Sequence, residues 1–482
     1  MKRIGGMAGA AAMARFLPSC GSDSKDPVGI TTYVYMMLEN RSYDHVFGSR
    51  ALLEGKPGNG LVASMRNPDR NGQLIAPWEP TVEQMCDPDP PHGWNELRAS
   101  WNAGACDGFV VSHQTEHNST TLIDPMQYLT RTQMPVSYAL ADAYTSCDNY
   151  FCSVMGPTLP NRAYWHTASS FGIGPHPDAN SEILNAFGAG SKVPSIYNRL
   201  HDKGVDWAYY FGSIAVAALI GGAGPYQLDL GANDGTGNIR RFGDYQGMSG
   251  QFFTDAANGV LPPVSYIDPF FYLNDDHPPI HPINGQLLIA SVYRALAASP
   301  QWKNCMLVVT YDENGGFFDH VSPPTTVDDS FEKFGVDGFQ QMGFRVPTLV
   351  AGPYVKQNHV SSVVYDHCSP LKHLQTAFGL DSLNVRMDAA NDLSDCIDME
   401  RLLAGTPAEP IELPAINLDD WPQASAACSH TGGFKYLDPI SQWADATGKV
   451  PKIFDLRDDP DGYQRGIRDY VRASQLRAKV RG

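Results

Sequence analysis

Two dipeptides concentrate hard oxygen donors in this sequence. Glu39-Asn40 directly follows the apolar run Thr31–Leu38, and Asp312-Glu313 directly follows Met306–Tyr311. Short apolar runs of this kind read as buried strands. In open α/β sheets, ligands bind beyond the carboxyl ends of strands. Carboxylates and an amide oxygen at neighbouring strand ends would form a pocket for one divalent cation. Such an ion polarises a phosphoryl oxygen and lowers the pKa of a bound nucleophile. The identity of the metal stays open. The same residues also read as acidic turns capping helices, and spacing alone does not choose. After the second pair, Asn314-Gly315-Gly316 lets the backbone turn away sharply.

A third segment, Met155 to Arg162, carries a hydroxyl. Gly156 and Pro157 form a tight turn, and a helix is expected over Asn161–Ser170. Pro160 suits a first helical turn, where its missing N–H costs nothing. Thr158 would then sit at or near the N-cap, beside free backbone N–H groups that favour a phosphate. A threonine N-cap without chemistry fits the same pattern.

The elements that must position these groups alternate. Besides the two runs above, Asp206–Phe211, Val264–Ile267 and Val346–Ala351 read as strands. Ser195–Lys203, Gly285–Ala298 and Ser369–Phe378 read as helices. Alternation of this kind predicts an α/β fold, a mostly parallel central sheet with helices on both faces.

Composition narrows the function. The chain has 482 residues, 43% hydrophobic and 18% charged, which suits a packed globular protein. A net charge of −17 argues against nucleic acid as a partner and offers no attraction to anionic membranes. An anionic ester would need a local cation in the site. Nine cysteines include no Cys-x-x-Cys pair, which argues against a zinc knuckle; an oxidising compartment would permit disulfides. Lys2-Arg3, the weakly apolar stretch Ile4 to Ala14 and Cys20 have the order of an export signal, with Cys20 as a possible lipid anchor. Arg15 and Pro18 are atypical there. The chain is therefore expected to be exported.

Longer motifs now carry a resemblance. ENRSYDHVFG (Glu39 to Gly48), ALADAYTSCDNYFCSVMGPTLPNR (Ala139 to Arg162), YDENGGFFDHVSPP (Tyr311 to Pro324) and YDHCSPLKHLQTAFGL (Tyr365 to Leu380) stand in this order, with weaker echoes in LPPVSYIDP and DDHPP. Together they resemble the bacterial phosphoesterase family of non-zinc phospholipases C and an acid phosphatase. The resemblance spans roughly residues 30 to 380. It implies an alkaline-phosphatase-like fold, Thr158 as nucleophile, and Glu39, Asn40, Asp312 and Glu313 as metal ligands. It further implies His92 and His277 as phosphate-binding or acid–base groups, and Asn161, Asp276 and His320 on the substrate. For His320, a supporting hydrogen bond to Asp319 is the alternative. His45 and His367 fit packing roles, whereas His113 and His117 fit a pocket wall or the surface. Asn314 departs from the family, which often has histidine there.

The expected domains are a leader over 1–24, a catalytic domain over 25–380 and an extension over 381–482 packed on it. The expected reaction is metal-assisted phosphate-ester hydrolysis through a phospho-threonine. The favoured type is a phospholipase C, releasing diacylglycerol and a phosphorylated headgroup. Acid phosphatase activity at the same site is the alternative. A non-catalytic exported phospho-ligand-binding protein is the alternative of another class. Sulfatase chemistry would need cysteine or serine where Thr158 stands. Expected partners are a phospholipid or a small phosphate ester, with peripheral or lipid-anchored membrane contact.

Overall fold

The computed structural model describes residues 29–86, 89–174, 194–212, 215–219, 237–242, 250–271 and 274–416. The apolar runs become strands. In chain order they are β1 (Thr32–Leu38), β2 (Asn67–Pro68), β3 (Leu74–Ile75), β4 (Thr145–Cys147), β5 (Trp207–Phe211), β6 (Ile239–Arg241), β7 (Val264–Asp268), β8 (Cys305–Tyr311), β9 (Thr348–Ala351) and β10 (His359–Ser361). β2 and β3 form a small ribbon. The other eight form one sheet in the order β10-β4-β9-β8-β1-β7-β5-β6.

Neighbours in this sheet run parallel, except that β9 opposes both β4 and β8. Every residue of β1, β5, β7 and β8 is buried, so both faces are covered. The mostly parallel α/β class read from the alternation is the observed one. All five expected strands form, with ends shifted by a residue or two. β4, β6 and β10 were not foreseen, because three residues leave no periodic signal.

The helices that matter for the site are α1 (Tyr43–Glu54), α2 (Trp94–Trp101), α3 (Pro135–Ala143), α4 (Thr158–Thr167), α5 (Ile283–Ala297) and α6 (Cys368–Phe378). The helix expected over Asn161–Ser170 starts earlier, at Thr158, with Pro157 as its extended N-cap. It stops where Ala168 adopts φ 57°. Pro160 falls inside the first turn, where it loses no hydrogen bond.

One hydrophobic cluster spans the sheet and its helices, and it takes in Leu393, Cys396, Ile397, Leu402 and Leu413. Residues 385–413 thus share the core of the strands. Cys106, Cys147, Cys152, Cys305, Cys368 and Cys396 are free and buried, and Cys86 is disulfide-bonded. No helix among the described residues is long and apolar enough to cross a membrane. The leader 1–24 with Cys20, and 417–482 with Cys428 and the basic end, lie outside the described residues.

Candidate active site

The register of two parallel strands builds the site. β1 and β8 pair with Leu38 beside Tyr311, so Glu39-Asn40 and Asp312-Glu313 leave the sheet at the same edge. All four side chains are fully buried. Asn40 turns the chain at φ 58°, a conformation asparagine tolerates better than most residues. Its N–H then donates to Asp312 Oδ1 at 3.1 Å, as does the Glu313 N–H at 2.8 Å. Glu313 Oε2 accepts from the Gly315 N–H at 2.7 Å. Gly315 has φ 62°, and a Cβ there would run into the Asn40 carbonyl.

Proton bookkeeping orients the amide. His92 Nδ1 lies 2.8 Å from the Pro90 carbonyl, which can only accept, so Nδ1 carries a proton. Burial holds the ring neutral, with its pKa lowered to about 4. Its Nε2 therefore accepts, and it accepts from Asn40 Nδ2 at 3.2 Å. Asn40 Oδ1 is left facing away. This oxygen, both Glu39 oxygens, Asp312 Oδ2 and Glu313 Oε1 are buried with no hydrogen bond. Buried polar atoms of this kind are rare without a reason. Burial first, and then the charge of Asp312, pushes the Glu39 and Glu313 carboxyls well above the ordinary range. Oxygen-only donors left bare in one place fit a hard divalent cation, which would reverse that shift.

α4 brings the hydroxyl. Asn161 is fully buried and spends its side chain on the preceding turn: Oδ1 accepts from the Val154 N–H, and Nδ2 donates to the Val154, Gly156 and Pro157 carbonyls. That fixes the entry to α4 and with it Thr158, which is 2% exposed. Arg162, one helical turn on from Thr158, lies on the same helix face. Its guanidinium is 3.0 Å from Glu39, 3.0 Å from Asp268 and 3.4 Å from Asp312. The contact to Glu39 is an ion pair without hydrogen-bond alignment, since both Glu39 oxygens lack a hydrogen bond. Asp268 also accepts from the Tyr209 hydroxyl. Neither Arg162 nor Asp268 was singled out in the sequence. Asp268 had a signal, because it ends the apolar run of β7 as Glu39 ends that of β1. Asp89, three residues before His92 and 3.7 Å from its ring, was not singled out either.

His277 faces His92 edge-on, with ring centroids 5.7 Å apart, and its Nδ1 lies 2.6 Å from the Pro278 carbonyl. Asp276 turns away from this pair. Its carboxylate accepts from the Gly285 N–H in the first turn of α5 and from the Tyr311 hydroxyl at 2.7 Å. His320 bonds Asp44 at 2.6 Å, not its neighbour Asp319, and lies within a network with Arg345 and Asn59. Asn161, Asp276 and His320 are thus engaged by the protein's own groups. His367 donates from Nε2 to the Asp312 carbonyl at 2.6 Å, and His45 stacks on Phe317. His113 pairs with Asp124 at 2.9 Å, and His117 meets the Asp89 carbonyl at 3.2 Å.

Residues 30–381 match the Phosphoesterase family. Phospholipase C B of Mycobacterium tuberculosis is 33% identical over 392 residues, covering 73% of this chain and 74% of that protein. The non-hemolytic phospholipase C of Burkholderia pseudomallei is 30% identical and covers 80% of this chain and 61% of that protein. Non-specific phospholipase C6 of Arabidopsis thaliana is 29% identical, over 73% of this chain and 69% of its own length. The matched span holds Glu39-Asn40 and Asp312-Glu313 at the strand ends, Thr158 and the two facing histidines. On that span the chain belongs to the Phosphoesterase family and is a hydrolase of phosphoester bonds.

Proposed function

We propose that this hydrolase is a phospholipase C-type phosphodiesterase that works through a phospho-threonine. The observation that carries the reading is Arg162. It ties the helix that bears Thr158 to Glu39 and Asp312 at 3.0 and 3.4 Å, so hydroxyl and oxygen pocket share one wall. Glu39, Asn40, Asp312 and Glu313 would hold a divalent cation, which would supply charge for a non-bridging phosphate oxygen and acidify the hydroxyl. Thr158 Oγ forms a bond to phosphorus, and the bond to the glycerol oxygen breaks. Diacylglycerol leaves with a proton. Water then attacks phosphorus, freeing the phosphorylated headgroup and restoring the hydroxyl.

The first-turn N–H groups of α4 and the guanidinium of Arg162 stabilise charge on the equatorial oxygens. His92 and His277 each commit Nδ1–H to a backbone carbonyl. Burial lowers their pKa to about 4 and about 3. Neutral rings in this tautomer accept at Nε2; at His92 that lone pair takes the Asn40 N–H and orients the amide, and His277 serves as base for the incoming water. The names of the relatives support a phospholipid substrate. The order of the leader supports an exported enzyme; cell fractionation that finds it in the cytosol removes that part.

The test compares p-nitrophenyl phosphate, p-nitrophenylphosphorylcholine and phosphatidylcholine vesicles. Diester turnover should exceed monoester turnover, and the reverse result makes the enzyme a phosphatase. Thr158→Ala should lower kcat by roughly 10³-fold or more. Acid quench during turnover should trap a phosphorylated peptide containing Thr158. A wild-type enzyme with no such peptide, together with an active Thr158→Ala variant, removes the nucleophile.

A further inference from the structure

We infer that Cys147 and Cys396 are a site of covalent modification, joining as a disulfide when the chain folds in contact with a small-molecule disulfide. Their sulfurs lie 4.0 Å apart, and both side chains are fully buried. A disulfide bond is about 2.05 Å long, so closure moves each sulfur by about 1 Å. Cys106 and Cys152, by contrast, turn their sulfurs to the Gly104 and Val154 carbonyls.

The backbone holds the pair from both sides. Cys147 ends β4, where it pairs with Thr348 of β9 and Ser361 of β10. Cys396 ends the helical turn Leu393–Cys396, and its carbonyl accepts from the Lys356 N–H at 2.9 Å. The next residue, Ile397, bridges to Val355. The two cysteines are 249 residues apart in the chain, so only the folded sheet brings them together. A cross-link over so long a loop removes much of the freedom of the unfolded chain.

Closure gives up little. Ser361 Oγ donates to Asp395 at 2.6 Å, so the Tyr365 hydroxyl, 3.0 Å away, donates to Ser361. Tyr365 then has no hydrogen for Cys396 Sγ at 3.9 Å. The two thiols are left with each other and the tyrosine oxygen as partners, and a thiol is a weak donor. The bond would fasten the stretch beyond residue 385 to the strand that leads into the Thr158 turn.

The Cys396 thiol first, and then burial, push the Cys147 thiol well above its ordinary range. The attacking species is a thiolate, so the bond forms during folding, before the pair is shut in the core. One thiolate attacks a sulfur of the small disulfide, forms a mixed disulfide and releases a small thiol. The second thiolate attacks the protein sulfur of that mixed disulfide and releases the other. Two protein thiols lose two electrons, one small disulfide is reduced to two thiols, and both protons end on those thiols. The inference uses no residue of the active site and is independent of the phospholipase reading.

The test uses the full chain produced in bacteria with an oxidising cytosol, where glutathione disulfide is the oxidant. The folded protein is alkylated in acidic denaturant without reductant, which blocks exchange, then digested and mapped by mass spectrometry. The expected product is a peptide pair joining Cys147 to Cys396, lighter by two hydrogens than the two thiol peptides together. Reductant added before alkylation should abolish it. Recovery of both cysteines in alkylated form from unreduced protein overturns the proposal, and so does a bond from either one to a different cysteine. Wild type alone decides, so no variant has to fold.

Discussion

At the scale of single residues, Arg162 governs the charge balance of the site. Burial opposes its charge, but Glu39, Asp268 and Asp312 outweigh burial and hold the guanidinium protonated. Removing one partner from a buried ion network is far costlier than the net worth of the network. Arg162→Met should therefore destabilise the protein by about 3–5 kcal/mol in denaturant titrations. Added Mg²⁺ or Mn²⁺ should then raise Tm more in the variant than in wild type, because the cation becomes the main counter-charge. Equal shifts would count against a cation among these carboxylates. Thr158 and the four predicted ligands drew notice because they follow apolar runs or open a helix, but position alone fitted plain capping equally well, and their roles came from the family motifs. Arg162 did not draw notice, since an arginine near the start of a helix ordinarily faces solvent, and only tertiary packing turns this one inward.

At the scale of elements, two side chains expected on the substrate hold helices in place. Asn161 bonds three carbonyls and one N–H of the turn before α4. Asn161→Ala should cost about 1–3 kcal/mol, the range for orphaned buried groups, and should lower kcat through Thr158. A variant with normal stability and normal kcat would show that the turn does not need it. Asp276 joins the first turn of α5 to Tyr311 at the end of β8. Burial raises its pKa to about 7, against the opposing charge of Arg41. A raised folded-state pKa contributes stability below the unfolded value near 4 and loses it as pH rises through about 7. Wild type should therefore lose stability between pH ~4 and ~7 relative to Asp276→Asn, by at most roughly 4 kcal/mol. Parallel denaturation curves at both pH values would remove Asp276 as the cause. Strand runs such as Met306–Tyr311 were legible from composition. The α4 boundary was not, because Pro157 and Pro160 read as a turn and a helix start at once.

At the scale of the whole molecule, charge and topology set the terms. A net charge of −17 repels anionic surfaces over a Debye length of about 10 Å at ~0.1 M salt. If phospholipid is the substrate, turnover on phosphatidylglycerol vesicles should rise as salt increases from ~10 to ~150 mM, while phosphatidylcholine turnover changes little. A fall on the anionic vesicles would point to a local basic surface that outweighs the total. The parallel sheet was legible from alternation. The reversal of β9 was not, because strand direction leaves no trace in an apolar run. The extension was expected to pack on the catalytic domain, but the place of Leu393, Ile397 and Leu402 in the same core was not legible, because helices this short leave no periodic signal. The pairing of β1 with β8 has a consequence for biosynthesis. Asn40 and Asp312, which meet where the Asn40 N–H donates to the Asp312 carboxylate, are 272 residues apart. A ribosome must deliver those 272 residues after Asn40 before the cradle can close, so products terminated in between carry half a cradle and no hydrolytic competence.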